Sequence, residues 1–472
     1  ISGGPTQIIN LPAGPFLQLS GTGATIAFLG VTLSGNFTLK QDTAVSGRQL
    51  IAVTANSVNF NFGASIVTLT NGSGDFLITD DGIAGQGQIT AAVSAFGGGF
   101  SHTFQWSFNT TGGPVDEVVI DPITLDLPSG PFNTIDTGSF VGIAVPIDSC
   151  TQTISGRFIL SMVPGAPNYV TVAASSVSAT IGSGAIGMAV SNGSGAFVIY
   201  NTGIAGEVKV GTASLSGAGL LTLTAENLKL RVNNTNADVG NPSPVVIPIN
   251  DNPADNVSLQ FIGAYYHNYL SIAGTAEIGG LTGAITLGGN FVFERGHLDT
   301  NNDTGLEDVF TIAATNLHFD LKAGSVTVVS FNNGSGTFLI KPDGIAGTAT
   351  LQFQSGMVGI SGSITLQANT SPTAIINASV PTPSGAVVLN ISGTNFVRVN
   401  VSGYLHLGSI ALPFNFYVLI NGTSVEFHRT SDNFLLVSIS NTGAITVDPS
   451  LSFSDFAAPG PFEFVSLLRQ AL

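Results

Sequence analysis

Apolar residues fall at alternate positions along most of the chain, and the alternation carries one recurring irregularity. Ile51, Val53 and Ala55 are followed, after a slip of one residue, by Val58, Phe60 and Phe62. The same pattern returns at Val170, Val172, Ala174 then Val177, Ala179, Ile181, and at Leu221, Leu223, Ala225 then Leu228, Leu230, Val232. A fourth case is Phe310, Ile312, Ala314 then Leu317, Phe319, Leu321. A period of two predicts β-strand, and a slip of one predicts a bulge or a corner at which the chain turns while the same face stays inward.

A second pattern has no slip but a central glycine: Leu33-Ser-Gly-Asn-Phe37, Ile154-Ser-Gly-Arg-Phe158, Leu287-Gly-Gly-Asn-Phe291 and Ile360-Ser-Gly-Ser-Ile364. Glycine inside a strand permits a bend or the close approach of another backbone. A helical period competes only near the end, where Phe462, Val465, Leu468 and Leu472 share one helix face after Pro459-Gly-Pro461.

These strands belong to a repeated unit. Asn71-Gly-Ser-Gly-Asp-Phe-Leu-Ile-Thr-Asp-Asp-Gly-Ile-Ala-Gly85 recurs with few changes from Asn192 to Gly206 and from Asn333 to Gly347. Leu11-Pro-Ala-Gly-Pro-Phe16 recurs as Leu127-Pro-Ser-Gly-Pro-Phe132. The Asn, Asp and Pro-rich stretch from Asn233 to Asn256 reads as a loop before a third unit. The resulting division is a lead-in at 1–10, β repeat units at 11–126, 127–256 and 257–380, a degenerate β unit at 381–450, and a tail at 451–472 with helical spacing.

The expected fold class is all-β, and two architectures compete within it. In an elongated, repetitive β-solenoid-like rod, slips and glycines are corners and coils stack along one core. In tandem antiparallel β-sandwich units, Asn71-Gly72 and Asp81-Gly82 are hairpin turns and each unit closes on itself. The repetition of strand patterns within each unit and the scarcity of charged outer faces favour the solenoid-like rod.

Composition narrows the function classes. Only 8% of the 472 residues are charged, so the chain must cover most of its surface with itself or with neighbours. Twelve basic residues against 28 acidic ones make a negative field that repels nucleic acid and anionic lipid. An inserted membrane barrel is not expected either: its girdles call for Tyr and Trp, and here Phe dominates, with 31 against 7 Tyr and 1 Trp. The lone Cys150 forms no disulfide framework and reads as a small buried apolar residue. The chain opens at Ile1 without a signal-like segment, so an export signal is expected to have been removed or to lie elsewhere. Thirteen Asn-x-Ser/Thr sequons would permit glycosylation, although Asn, Gly, Ser and Thr are also what β-turns use.

Candidate chemistry is sparse. The six histidines have no metal spacing, and neither a nucleophile elbow nor a phosphate loop is present, so no enzyme activity and no catalytic residue is expected. Asp80-Asp81 sits in a repeat turn and reads as turn chemistry. One loop stands out, because Asp299, Asn301, Asp303, Glu307 and Asp308 space oxygen ligands as calcium loops do. Its glycine comes one place late for the EF-hand pattern, and Phe310 stands where that pattern has its bidentate Glu, leaving a solvated Asx-rich turn as the competing reading.

At the level of Leu-Pro-Ala-Gly-Pro-Phe, Leu-Ser-Gly-Asn-Phe, Asn-Gly-Ser-Gly-x-Phe and Asp-Gly-Ile-Ala-Gly, the chain resembles the tandem units of very large repetitive bacterial surface proteins of the adhesin-like or hemolysin-type calcium-binding kind. The resemblance covers residues 11 to about 380 and implies an exported, rod-forming segment stiffened by calcium. Location outside the cell or on its surface is therefore expected. The partners would be neighbouring copies or further repeat units of the same protein, surface glycans or other surface proteins. The function expected is a structural or adhesive rod or stalk. The alternatives are a self-assembling subunit of an extracellular filament or sheath, and a glycan-binding or carbohydrate-active β-rod.

Overall fold

A computed structural model describes residues 17–447, leaving aside short stretches of which the longest are 94–100, 163–168, 280–285 and 354–359. The segment Leu11–Phe16, the tail at 451–472 and the side chain of Cys150 lie outside the described residues. The described residues are all-β, with two 3-10 turns.

The first repeat consists of six strands: β1 (Gln18–Phe28), β2 (Val31–Thr43), β3 (Gln49–Phe62), β4 (Val67–Thr79), β5 (Gly82–Val93) and β6 (Ser101–Asn109). A small hairpin follows, β7 (Val115–Val118) and β8 (Thr124–Leu127). In the second repeat the first and fifth strands are each broken in two: β9 (Phe132–Asp136), β10 (Val141–Ile147), β11 (Cys150–Met162), β12 (Val170–Ser183), β13 (Ile186–Tyr200), β14 (Gly203–Val210), β15 (Thr212–Ser216) and β16 (Thr222–Asn233). Its hairpin is β17 (Val245–Ile247) and β18 (Val257–Leu259). The third repeat returns to six strands, β19 (Tyr269–Gly279), β20 (Leu287–Leu298), β21 (Glu307–Ala323), β22 (Val326–Lys341), β23 (Gly344–Phe353) and β24 (Ile360–Asn369), with the hairpin β25 (Ile375–Val380) and β26 (Val387–Ile391). Shorter strands close the series: β27 (Phe396–Leu407), β28 (Ile410–Ile420), β29 (Ser424–Arg429), β30 (Leu435–Ser440) and β31 (Ile445–Val447).

The chain falls into two compact parts, each of which has its own strand order. In the first, comprising the residues up to 175 with 195–206 and 233–261, successive strands pair from β1 to β6, β6 pairs with β9, and β11 pairs with both β9 and β10. In the second, comprising 176–194, 207–232 and the residues from 262 on, β19 to β24 pair in succession, β24 pairs with β27, and β27 to β31 continue in chain order. Every described pairing is antiparallel. The solenoid-like rod is therefore not the arrangement of the described residues, because a solenoid stacks its coils in parallel.

The slip that suggested a corner is a β-bulge. Ser57, Ser176, Asn227 and Asn316 occupy the four slip positions, all with φ of +51° to +53°. Asn71, which the sandwich reading made a hairpin turn, sits in mid-strand, as do its counterparts Asn192 and Asn333; all three have φ of +51° to +55°, and the register shifts at Asn71 and Asn333 are further bulges. Neighbouring bulges are aligned, as Val58 pairs with Gly72 and Leu317 with Gly334. Asn tolerates the left-handed region through its short polar side chain, so the same residue serves a turn or a bulge. The two-residue connection is Asp80-Asp81, with Thr79 opposite Gly82 and Arg48 paired to both carboxylates.

One face of the first repeat carries a packed aromatic group. Trp106 lies 4.9 Å from Phe60 and 5.5 Å from Phe76, and Phe28 of β1 stacks on Phe108 of β6 at 4.2 Å. Strands so far apart in the pairing order meet only because the sheet bends over its apolar face here. The opposite face is covered by the hairpin, whose Val115, Leu125 and Leu127 pack on Leu50, Ala52, Leu77 and Ala84. In the third repeat, Ile375, Val380 and Leu389 cover Val309, Leu339 and Ala346 in the same way. Adjacent strand residues point to opposite faces, so the buried runs Phe76-Leu77 and Phe338-Leu339-Ile340 mark where both faces are covered.

A repeated polar latch holds each hairpin. Asn109, Asn233 and Asn369 end the sixth strands and are fully buried. The Asn109 amide donates to the carbonyls of Gly113 (2.9 Å) and Pro128 (2.8 Å), and its oxygen accepts from the Thr111 N–H (2.8 Å) and hydroxyl (2.7 Å). Asn369 donates to Thr373 (2.8 Å) and Gly393 (2.7 Å) and accepts from the Ser371 N–H (3.1 Å). Asn233 donates to Ala237 and accepts twice from Thr235. The intervening residues Thr110, Asn234 and Thr370 bind the Gly-Ile-Ala turn, as their side-chain oxygens accept the N–H of Ile83, Ile204 and Ile345 at 2.6–3.0 Å. Gly82, Gly203 and Gly344 stand there at φ of +145° to +155°, and a Cβ would come within 2.4–2.5 Å of those oxygens. Three of the sequons are therefore structural in the folded chain, with the amide already bonded and out of reach of solvent.

Replacing Asn369 by Ala removes the side-chain partner of the Thr373 and Gly393 carbonyls and of the buried Ser371 N–H. The expected cost is about 2–4 kcal/mol, read as a lower urea midpoint and as faster amide exchange in the β25–β26 hairpin before the rest of the third repeat.

Candidate functional site

The third repeat opens with Ile262-Gly-Ala-Tyr-Tyr-His-Asn-Tyr269, which places three of the seven tyrosines within five residues. A 3-10 turn at Ala264–Tyr266 brings Tyr265 and Tyr266 back towards Tyr269, the first residue of β19. Ring centroids of the three are 5.1–5.6 Å apart. Antiparallel register sets Glu294 of β20 opposite Ser271 of β19, and the Tyr265 hydroxyl donates to the Glu294 carboxylate. On the other side, the Arg231 guanidinium lies 5.8 Å from the centre of the Tyr266 ring and 3.3 Å from Glu207, which also pairs with Lys229 at 2.5 Å.

Burial dominates the electrostatics of this cluster. It pushes the Glu294 carboxyl up to about 7, against the opposing effect of hydroxyl donors from Tyr265 and Tyr269. The same burial, reinforced by the neighbouring carboxylate, raises the hydroxyls of Tyr265 and Tyr269 above the usual tyrosine range. The arrangement is a proton-holding joint between a turn and a strand. Sequence reasoning passed over these residues because Glu294 is far along the chain from the tyrosines. The local concentration of Tyr was the visible signal.

The predicted calcium ligands are placed in three separate settings. Asp299 accepts four backbone N–H groups, from Asn301 (3.3 Å), Asn302 (2.7 Å) and Asp303 (3.3 Å) on one oxygen and from Thr304 (3.0 Å) on the other. Desolvation works to raise its carboxyl, and these donors more than offset it, holding the group below its ordinary value. Asp303 accepts from Gly305 (2.8 Å) and from the Asn301 amide (2.8 Å). Asp308 binds Arg295 (2.8 Å) and His297 (2.7 Å). Glu307 faces Lys341 at 3.2 Å and accepts from Thr300. Lys341 is itself buried, and it donates to Thr300 and Thr373. The loop thus spends its carboxylates on its own N–H groups and on fixed cations. Among the described residues, no group of three or more His, Cys, Asp or Glu is arranged to hold a metal ion.

A second stack lies beyond the third repeat. Arg398 sits 3.7 Å above the Tyr417 ring, and His428 stacks on that ring at 4.9 Å with an angle of 5°. Its Nε2 is 3.0 Å from Glu426. No family model, curated protein or solved structure matches the chain.

Two outcomes follow. A carboxyl whose folded value is about 7, against an ordinary 4.5, stabilises the fold fully below pH 4.5, and that contribution is lost as pH rises through 7. Thermal midpoints between pH 4 and 8 should therefore fall less steeply in Glu294→Gln than in the native chain. Because the acidic loop is already satisfied by protein groups, adding calcium or EDTA should leave the melting temperature unchanged within about 1 °C, by the rule that a ligand stabilises only what it binds.

Proposed function

We propose that the chain is a structural or adhesive repeat protein of the extracellular space or cell surface, working as a rod or stalk. The observation that carries this reading is the use made of the conserved-in-register repeat residues within the chain. Asn-Gly-Ser-Gly supplies bulges, Phe-Leu-Ile fills both faces, Gly-Ile-Ala makes the turn, and Asn-x-Thr/Ser latches the hairpin. Each repeated side chain is spent on holding the unit together, as expected of material whose property is mechanical. Low charge and the resemblance to units of large bacterial surface proteins support the same reading.

A second reading, a self-assembling subunit of a filament or sheath, draws support from β1, an eleven-residue strand without a charged residue. Negative-stain electron microscopy separates the possibilities. The primary reading expects single elongated particles, and a compact globule would overturn it. Polymers that lengthen with concentration would favour the filament.

A further inference from the structure

In three places the first strand of a unit is covered by the sixth strand of the unit before it. β6 pairs with β9, with Trp106 opposite Ile135; β24 pairs with β27 along ten residues; and Gly274 of β19 packs on the backbone of Asn227 and Leu228 in β16. Among the described residues, β1 has β2 as its one pairing partner.

Register makes the comparison position by position. Leu19 is opposite Leu39, as Ile135 is opposite Leu160 and Ile272 opposite Phe293. Those three partners each lie two residues beyond the phenylalanine of the glycine-centred pattern. Leu19 is 66% exposed, whereas Ile135 is 0% and Ile272 is 1% exposed. Ile26 is half-buried, and its counterparts Ile143 and Ile278 are buried. The same position is thus apolar in all three repeats and, among the described residues, is closed where a sixth strand lies beside it.

We infer that the edge of β1 that no described strand covers accepts the sixth strand of another repeat of this kind by strand addition. The occupant is an uncharged strand that sets an alternating apolar face beside Leu19, as β6 does beside Ile135. Backbone geometry fits this. The Leu17 carbonyl accepts from the Gln41 N–H, so odd-numbered residues at this end bond to β2 and the N–H groups of Gln18 and Ser20 face outward. They correspond to Thr134 and Asp136 of β9, which pair with Ser107 and Gln105 of β6. This names a partner for the proposed repeat material and rests on that reading, but its test is independent of particle shape.

The probe is a fluorescent peptide of the β6 sequence Ser101–Asn109, with a scrambled peptide as control, titrated against the full chain by anisotropy. Saturable binding is expected, with protection of the Gln18 and Ser20 amides from hydrogen exchange. Ser20→Pro removes an outward N–H without breaking the β1–β2 ladder and should abolish binding. Leu19→Lys should weaken it at least about tenfold, on the cost of setting a charge in an apolar row. Absence of binding, or binding that Ser20→Pro leaves intact, overturns the inference. Self-association that Ser20→Pro breaks and the peptide does not compete for also overturns it, because the edge would then belong to a different strand of a second copy.

Discussion

A single buried carboxamide at the end of each sixth strand organises the repeat. It must satisfy two donors and one oxygen away from water, and it does so by bonding the returning chain and the hairpin at once. The residue after it closes the Gly-Ile-Ala turn from the side, leaving no room there for a Cβ. Because unmade hydrogen bonds are costly in a low-dielectric interior, the position of the hairpin over the sheet is tightly specified. The covering of the second sheet face follows from that.

Once both faces are covered near the turn, the composition becomes intelligible. Three adjacent apolar residues in one strand would be a liability on a sheet with a wet face. Here Phe338, Leu339 and Ile340 are each at most 1% exposed. Few charges are required because few strand residues at this end meet solvent, and those present are largely paired, as Arg48 with Asp80 and Asp81 or Arg157 with Asp136. Further along the strands, left-handed Asn and Ser residues form aligned bulges that bend the sheet without exchanging its faces.

The two polar clusters of the third repeat contrast in origin. The acidic loop is made from residues close in sequence, and its geometry is that of a loop bonding itself. The Glu294 cluster joins a turn, two strands and a more distant arginine, and its near-neutral carboxyl arises from burial rather than from a nearby charge. What decides whether such oxygens can serve a ligand is how many are left over once the backbone and the cations have been served.

Local periodicity was enough to determine the all-β class, the repeat, and the phase slip at residues such as Ser57 and Asn316, since alternation depends only on neighbours one and two positions away. It was also enough to place a turn at Asp80-Asp81. Whether a slip was a corner or a bulge, and whether Asn71 turned the chain or bent it, depended on the strand lying opposite. Only the tertiary structure decided that, along with which three of thirteen sequons are buried latches and why Glu294 meets Tyr265. The bulges and the Glu294 contact rest on partners well separated along the chain, as Val58 meets Gly72, Leu317 meets Gly334 and Glu294 meets Tyr265, and alternation between near neighbours does not specify them.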